Sequence, residues 1–129
     1  METPQKKVLV VEDDGALRNV LVDSLSKTNF QTSSAGDGEK ALAMILEEKP
    51  DLVLLDLLIP RLDGFKVLDK IRHYPDAKIA NTKVIVLSNL WSDKDILHAQ
   101  SLQVEEYYVK ANTSLVEVFA KIKKILSEP

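Results

Sequence analysis

Five side chains in this sequence could do chemistry together. Glu12 and Asp13 follow the apolar run Lys7–Val11. Asp56 closes the run DLVLLD, Ser88 closes KVIVLS and Lys110 closes VEEYYVK. Each of them sits at the carboxyl end of a stretch that reads as a strand. Asp56 is the pointed case, because LVLLDLLIP is otherwise apolar. An unpaired carboxylate taken out of water costs several kcal/mol even after relaxation. Asp56 must therefore lie at a strand end, or beside compensating charge, or both. Three carboxylates brought to one edge repel each other, and at least one pKa rises unless a cation sits among them. Oxygen donors in an open arrangement suit a hard divalent ion, Mg²⁺ first and Mn²⁺ as the substitute. Lys110 across the site adds a second positive charge. A divalent metal beside a lysine is also the equipment of phosphoryl transfer, where the equatorial oxygens must be neutralised. The sequence has no G-x-x-x-x-G-K-[ST] loop to cradle a nucleotide, so the phosphoryl group is expected from elsewhere. An aspartate can then be the nucleophile and form an acyl phosphate, and Asp56 is the candidate.

The elements that must position these groups alternate along the chain. KVLVV (Lys7–Val11) reads as a buried strand, FQTSS (Phe30–Ser34) as a weaker strand nearer an edge, and DLVLLD as a third. KVIVLS (Lys83–Ser88) is a fourth and VEEYYVK (Val104–Lys110) a fifth. Between them run helical stripes. Leu17, Val20, Leu21 and Leu25 make the first. Ala41, Leu42, Ile45 and Leu46 make the second, ended by Lys49-Pro50. Gly64 opens the third, with Phe65, Leu68 and Ile71 on one face. The fourth helix is expected over Asp95–Leu102. The fifth is expected over Ser114–Leu126, with Leu115, Val118, Phe119, Ile122 and Ile125 inward and Ser114 and Glu117 at capping-box spacing. Five β-α units with continuously apolar strands predict an α/β fold: a doubly wound parallel sheet with helices on both faces. The site of such a sheet lies beyond the carboxyl ends of its strands, where the five side chains fall.

The totals agree with one domain. The chain has 129 residues, 45% apolar and 29% charged, ordinary for a soluble globular protein. The net charge of -3 does not favour direct nucleic-acid binding. With no cysteine, disulfides, thiolate metal sites and cysteine nucleophiles are excluded. No apolar run approaches membrane-spanning length, and METPQKK lacks the apolar core of a signal peptide. A cytoplasmic protein without membrane contact is expected.

VVEDD, LLDLLIPRLDG, VIVLSN and YYVK, in that order and spacing, resemble the receiver domain of two-component response regulators, of the chemotaxis-type single-domain kind. The resemblance covers essentially the whole chain. It implies a five-stranded flavodoxin-like sheet of strand order 2-1-3-4-5, a single receiver domain over 1–129 with a core of about 6–127, and no output domain in this chain. It implies that Asp56 is the phosphoacceptor, that Asp13 binds Mg²⁺ directly and Glu12 through water, and that the Leu58 backbone carbonyl completes the metal's protein ligands. Ser88 would hydrogen-bond a phosphoryl oxygen and Lys110 would pair with it. Tyr107 would be the aromatic switch, moving with Ser88 to remodel the face made of the fourth helix, fifth strand and fifth helix. The implied partners are a sensor histidine kinase or phosphotransfer protein and a downstream protein target, with a phosphorylation-dependent dimer through that face. The chain would be a signalling domain, catalysing only its own phosphoryl transfer and slow autodephosphorylation. Asp14 falls outside the acid pair and is expected to cap the first helix.

The sequence departs from the family pattern at five positions. Ala111 stands where the family usually has Pro after the lysine, so the loop is either trans and rearranged or strained. Asn89 replaces the usual small residue and would narrow access to Asp56 or add a polar contact. Ile59 replaces the common Met, a volume-conserving change. Leu58 and Leu90 are apolar at the positions that flank the attacking water, which implies a long-lived phosphorylated form. Other residues read more plainly. Lys121–Lys124 is a solvated run near a helix C-terminus, His73 and His98 are surface residues, Tyr107 and Tyr108 alternate in direction along their strand so that one packs and one faces out, and Trp91 lies near the site. Two other functions share the architecture. A small Mg²⁺-dependent aspartyl phosphatase would need a general acid near Asp56 and a cap, whereas residue 58 is Leu and no insertion could form a cap. A degenerate receiver would bind partners without phosphorylation, a reading that Ala111 and Asn89 sustain.

Overall fold

The computed structural model describes residues 5–127. Five strands run parallel, β1 (Lys7–Val11), β2 (Gln31–Ala35), β3 (Leu52–Leu55), β4 (Lys83–Ser88) and β5 (Glu106–Val109), in the order β2-β1-β3-β4-β5. The helices are α1 (Gly15–Ser26), α2 (Gly38–Glu48), α3 (Gly64–Arg72), a short α4 (Ala77–Ala80), α5 (Asp93–Ser101) and α6 (Leu115–Ser127). The expected five-stranded 2-1-3-4-5 sheet is therefore the observed one, with β2 at an edge. β3 is flanked by β1 and β4 in register, Leu55 beside Val11 and Val86. Asp56 thus leaves the middle of the sheet one residue beyond Leu55.

Two apolar layers sandwich the sheet because strand side chains alternate in direction. Val8, Val10, Leu52, Leu54, Ile85 and Leu87 face α1 and α6, where they meet Leu21, Leu25, Val118 and Ile122. Leu9, Val11, Val53, Leu55, Val84 and Val86 face α2, α3, α4 and α5. Strands apolar on both faces are what two helical layers require. In α1 the inward stripe centres on Leu21 and Leu25. Val20, expected inward, is 50% exposed, because at 3.6 residues per turn it lies off that stripe's centre.

Several boundaries differ from the pattern reading. β2 ends on Ala35 rather than Ser34, and β5 is shorter than Val104–Lys110. α5 begins at Asp93, ahead of the expected Asp95, because Ser92 caps it: the Ser92 hydroxyl accepts from the Asp95 N–H at 3.1 Å and donates to the Asp95 carboxylate at 2.7 Å. α5 is also the least anchored of the long helices, with Ala99 its one buried residue. Helix α4, a single turn capped by Asp76, has no counterpart in the periodicity. Asp14 caps α1 as expected, accepting from the N–H groups of Ala16 and Leu17. Ser114 accepts from the Glu117 N–H at 3.3 Å at the start of α6.

Candidate functional site

At the carboxyl edge of the sheet, β1, β3, β4 and β5 bring the sequence-predicted groups together. The Asp56 side chain is 4% exposed and each of its oxygens is held. Oδ1 accepts from the Ser88 hydroxyl at 2.8 Å and from the Leu58 N–H at 2.9 Å. Oδ2 accepts from the Lys110 ammonium at 2.7 Å. Lys110 is also 2.7 Å from Glu12 Oε1, and Glu12 Oε2 accepts from the Asp14 N–H at 3.1 Å. Asp13 is exposed, and its carboxylate joins those of Glu12 and Asp56 in a cluster whose ligand atoms lie within 4.8 Å of one another. One ammonium among three carboxylates leaves the cluster negative.

The electrostatics follow from that geometry. Burial raises the Glu12 pKa, opposed by the bonds from Lys110 and the Asp14 N–H, while the Asp56 charge raises it further. For Lys110, burial alone would lower the pKa. The bonds to Asp56 and Glu12 outweigh it, and the net direction is up. Lys110 is therefore a firmly charged ammonium. The cluster offers only oxygen, at close spacing, with Asp13 open to solvent. That donor set fits a hard divalent cation, with Glu12, Asp13 and Asp56 as the side chains to hold it.

Two glycines shape the loop after Asp56. A Cβ at Gly64 would sit 2.6 Å from the Leu57 Cα and 2.8 Å from the Asp56 carbonyl oxygen, and a Cβ at Gly38 would collide with the Leu62 carbonyl. The loop is also tied by hydrogen bonds, Gly38 N–H to Pro60 O at 3.1 Å and Gly64 N–H to Leu57 O at 3.0 Å. Leu58 sits on this loop with its side chain 52% exposed.

The Ala111 question has a plain answer. No cis peptide bond occurs among the described residues, and Lys110–Asn112 form a 3-10 turn. The trans loop delivers Lys110 to Asp56. Asn89 is exposed. Tyr107 and Tyr108 alternate to opposite layers as expected, but neither faces out, because helices cover both sides of the sheet and each ring packs half-buried against a core layer; the Tyr107 hydroxyl donates to the Leu90 carbonyl at 2.7 Å. Burial, then the nearby charges of Asp95 and Asp56, push the Tyr107 pKa up to about 12. Trp91 is 74% exposed. His73 and His98 are exposed, and the His98 ring stacks on Phe65 with centroids 4.4 Å apart.

Pattern reading missed two features of the site. One is the Leu58 N–H. An aspartate that accepts from the amide two residues on makes an Asx turn, and an Asp at a strand end is the available signal for it. The other is Arg18, whose guanidinium donates to the Glu12 carbonyl at 2.8 Å and to the Asp13 carbonyl at 3.4 Å. Nothing in its spacing announces that contact.

Comparison with known proteins agrees with this geometry. Residues 8–123 match the family model described as the response regulator receiver domain. A probable transcriptional regulator, ycf27, of Cyanophora paradoxa is 36% identical over 126 residues, covering 98% of this chain and 50% of the relative. The chain spans about half the length of the curated relatives it matches. Among solved structures, the phosphorylated cyanobacterial phytochrome response regulator RcpA superposes with a TM-score of 0.78 at 31% identity, covering 95% of this chain and 91% of that one. The BeF₃-activated N-terminal receiver domain of Klebsiella pneumoniae RstA superposes with a TM-score of 0.81 at 26% identity, covering 95% of this chain and 100% of that one. With the sheet order, the strand-end acids and the lysine in place, this chain belongs to the response regulator receiver domain family.

Proposed function

We propose that the chain works as a phosphorylatable switch in a two-component phosphorelay, one receiver unit over its length. Asp56 carries the reading: a nearly buried carboxylate at a central strand end, held by a hydroxyl, an amide and an ammonium beside two further acids. The phosphoryl donor is a phosphohistidine on a sensor histidine kinase or phosphotransfer protein. An Asp56 oxygen attacks phosphorus, the phosphorus–nitrogen bond breaks, and the departing imidazole takes up a proton. Mg²⁺ held by Asp13, Asp56, the Leu58 carbonyl and, through water, Glu12 would supply charge neutralisation for the phosphoryl oxygens. Ser88 turns its hydroxyl from Asp56 to a phosphoryl oxygen, and Lys110 pairs with the new negative charge.

Ser88 and Tyr107 then couple the site to the face made of α5, β5 and α6. Ser88 Oγ accepts from the Leu90 N–H at 3.4 Å, and Tyr107 holds the Leu90 carbonyl. Moving Ser88 pulls on the segment that Tyr107 grips. Because α5 has a single buried anchor, it is the element freest to respond. The altered face engages a downstream protein target and supports a phosphorylation-dependent dimer. The unit signals rather than turning over a metabolite, and it works in the cytoplasm without contacting nucleic acid itself. Among the described residues no helix is long and apolar enough to cross a membrane. Leu58 and Leu90 present no polar side chain to orient an attacking water, so the acyl phosphate is long-lived.

Incubation with Mg²⁺ and acetyl phosphate, read by intact mass, tests the reading. One phosphoryl group per chain, absent in Asp56→Asn, supports it. Repeated turnover of unrelated phosphoesters would make the protein a phosphatase, and no adduct under any condition would make it a degenerate receiver.

A further inference from the structure

We propose that Arg18 is a positioning residue for the acid pair Glu12 and Asp13: it fixes their main chain so that their carboxylates stay aimed at the cation site. This rests on the metal-dependent reading of the site given above. Arg18 lies on the first turns of α1, and its Nη1 donates to the carbonyl oxygens of Glu12 and Asp13 at 2.8 and 3.4 Å. An arginine near three carboxylates would ordinarily pair with one of them, because a bidentate carboxylate is its best partner. Among the described residues Arg18 forms no such ion pair. Its charge is directed to the backbone of the two acids, and their side chains are left to Lys110 and to solvent.

The guanidinium also lies close over Gly36 and beside Gly15. A Cβ at Gly36 would come 3.2 Å from Arg18 Nη1, and one at Gly15 would come 3.6 Å from Nη2. Gly36, on the turn after β2, has no side chain to crowd the guanidinium. The Glu12 N–H donates to the Ala35 carbonyl at 3.0 Å, one residue before Gly36. The main chain of Glu12 is thus held on both sides, its N–H by the end of β2 and its carbonyl by Arg18. Asp13, exposed and without an ion pair among the described residues, depends on this clasp for its direction. Groups that orient metal ligands typically change metal affinity by about 10-fold or more when removed.

The test compares Mg²⁺ binding, measured by titration calorimetry without any phosphoryl donor, in wild type, Arg18→Met, Arg18→Lys and Leu21→Val. Leu21 packs α1 onto the sheet beside Val8 and Val10, away from the Arg18 contacts, and serves as a control for loss of α1 stability. Arg18→Met is expected to weaken Mg²⁺ binding about 10-fold, with Arg18→Lys restoring part of the loss and Leu21→Val leaving affinity unchanged despite a lower unfolding midpoint. At saturating Mg²⁺ the phosphorylation rate of Arg18→Met should return to the wild-type value. Affinity within twofold of wild type in Arg18→Met, or an equal loss in Leu21→Val, overturns the assignment. Wild-type protein that binds no Mg²⁺ at all overturns the metal-dependent reading itself, a result visible before any variant is compared.

Discussion

Replacing Lys110 with Met removes the ammonium and keeps most of the apolar stem. In the metal-free protein this leaves Glu12 and Asp56, 2% and 4% exposed, without their shared counter-charge. Breaking a buried pair by removing one partner costs about 3–5 kcal/mol. Lys110 is itself 19% exposed, and Glu12, whose pKa burial already raises, can relieve some repulsion by taking up a proton. Both facts put the expected loss near the low end, about 3 kcal/mol at mildly alkaline pH. With a urea m-value of about 1–3 kcal/mol per M, the midpoint should fall by roughly 1–3 M. The assay is urea unfolding followed by circular dichroism in EDTA, repeated with Mg²⁺. Mg²⁺ and Lys110 offset the same carboxylates, so Mg²⁺ should stabilise the variant more than it stabilises the wild type. A variant as stable as wild type in EDTA would refute the reasoning, because the buried acids would then need no cation.

Gly38→Ala should cost about 1–3 kcal/mol or more, since the new methyl meets the Leu62 carbonyl and must displace the loop that carries Leu58; an unchanged thermal midpoint would contradict this. Alkaline stability should fall as pH rises from 10.0 toward about 12. Over that range the folded protein keeps the Tyr107 proton that the unfolded chain gives up. The raised pKa of Lys110 acts in the same direction above 10.5. Tyr107→Phe should flatten that slope and remove the last phenol to ionise in an ultraviolet titration. Introducing Asn at Leu58 should shorten the lifetime of the phosphorylated form by giving water a polar partner, as followed by loss of the adduct from intact mass; an unchanged lifetime counts against the role given to the two leucines.

Much of the fold and site could be read from the residues, for identifiable reasons. Strands buried on both faces must be continuously apolar, so Lys7–Val11 and Lys83–Ser88 announce themselves. Parallel strands under helical layers place their following residues on one edge, which brings Glu12, Asp13, Asp56, Ser88 and Lys110 together without any distance being known. The strand order came through family resemblance, since no local feature says that β1 lies between β2 and β3. Helix α4 escaped because a single turn is too short to show a period. The start of α5 was misplaced because a helix with one buried residue has almost no apolar stripe to read. Val20 misled because its i,i+3 spacing from Leu17 is helical although it sits off the centre of the Leu17, Leu21 and Leu25 stripe. The bridging of Glu12 and Asp56 by one ammonium, and the Arg18 clasp on two carbonyls, depend on side-chain direction across separate elements, which spacing alone does not encode.

The central claim is that Asp56 accepts the phosphoryl group. Borohydride reduction tests it most directly, because it converts the aspartate of an acyl phosphate to homoserine and leaves free carboxylates alone. Protein treated with acetyl phosphate and Mg²⁺, reduced, digested and mapped by mass spectrometry should carry homoserine at position 56 and nowhere else. Homoserine at position 13, or unmodified Asp56 in protein that has gained a phosphoryl group, would contradict the account.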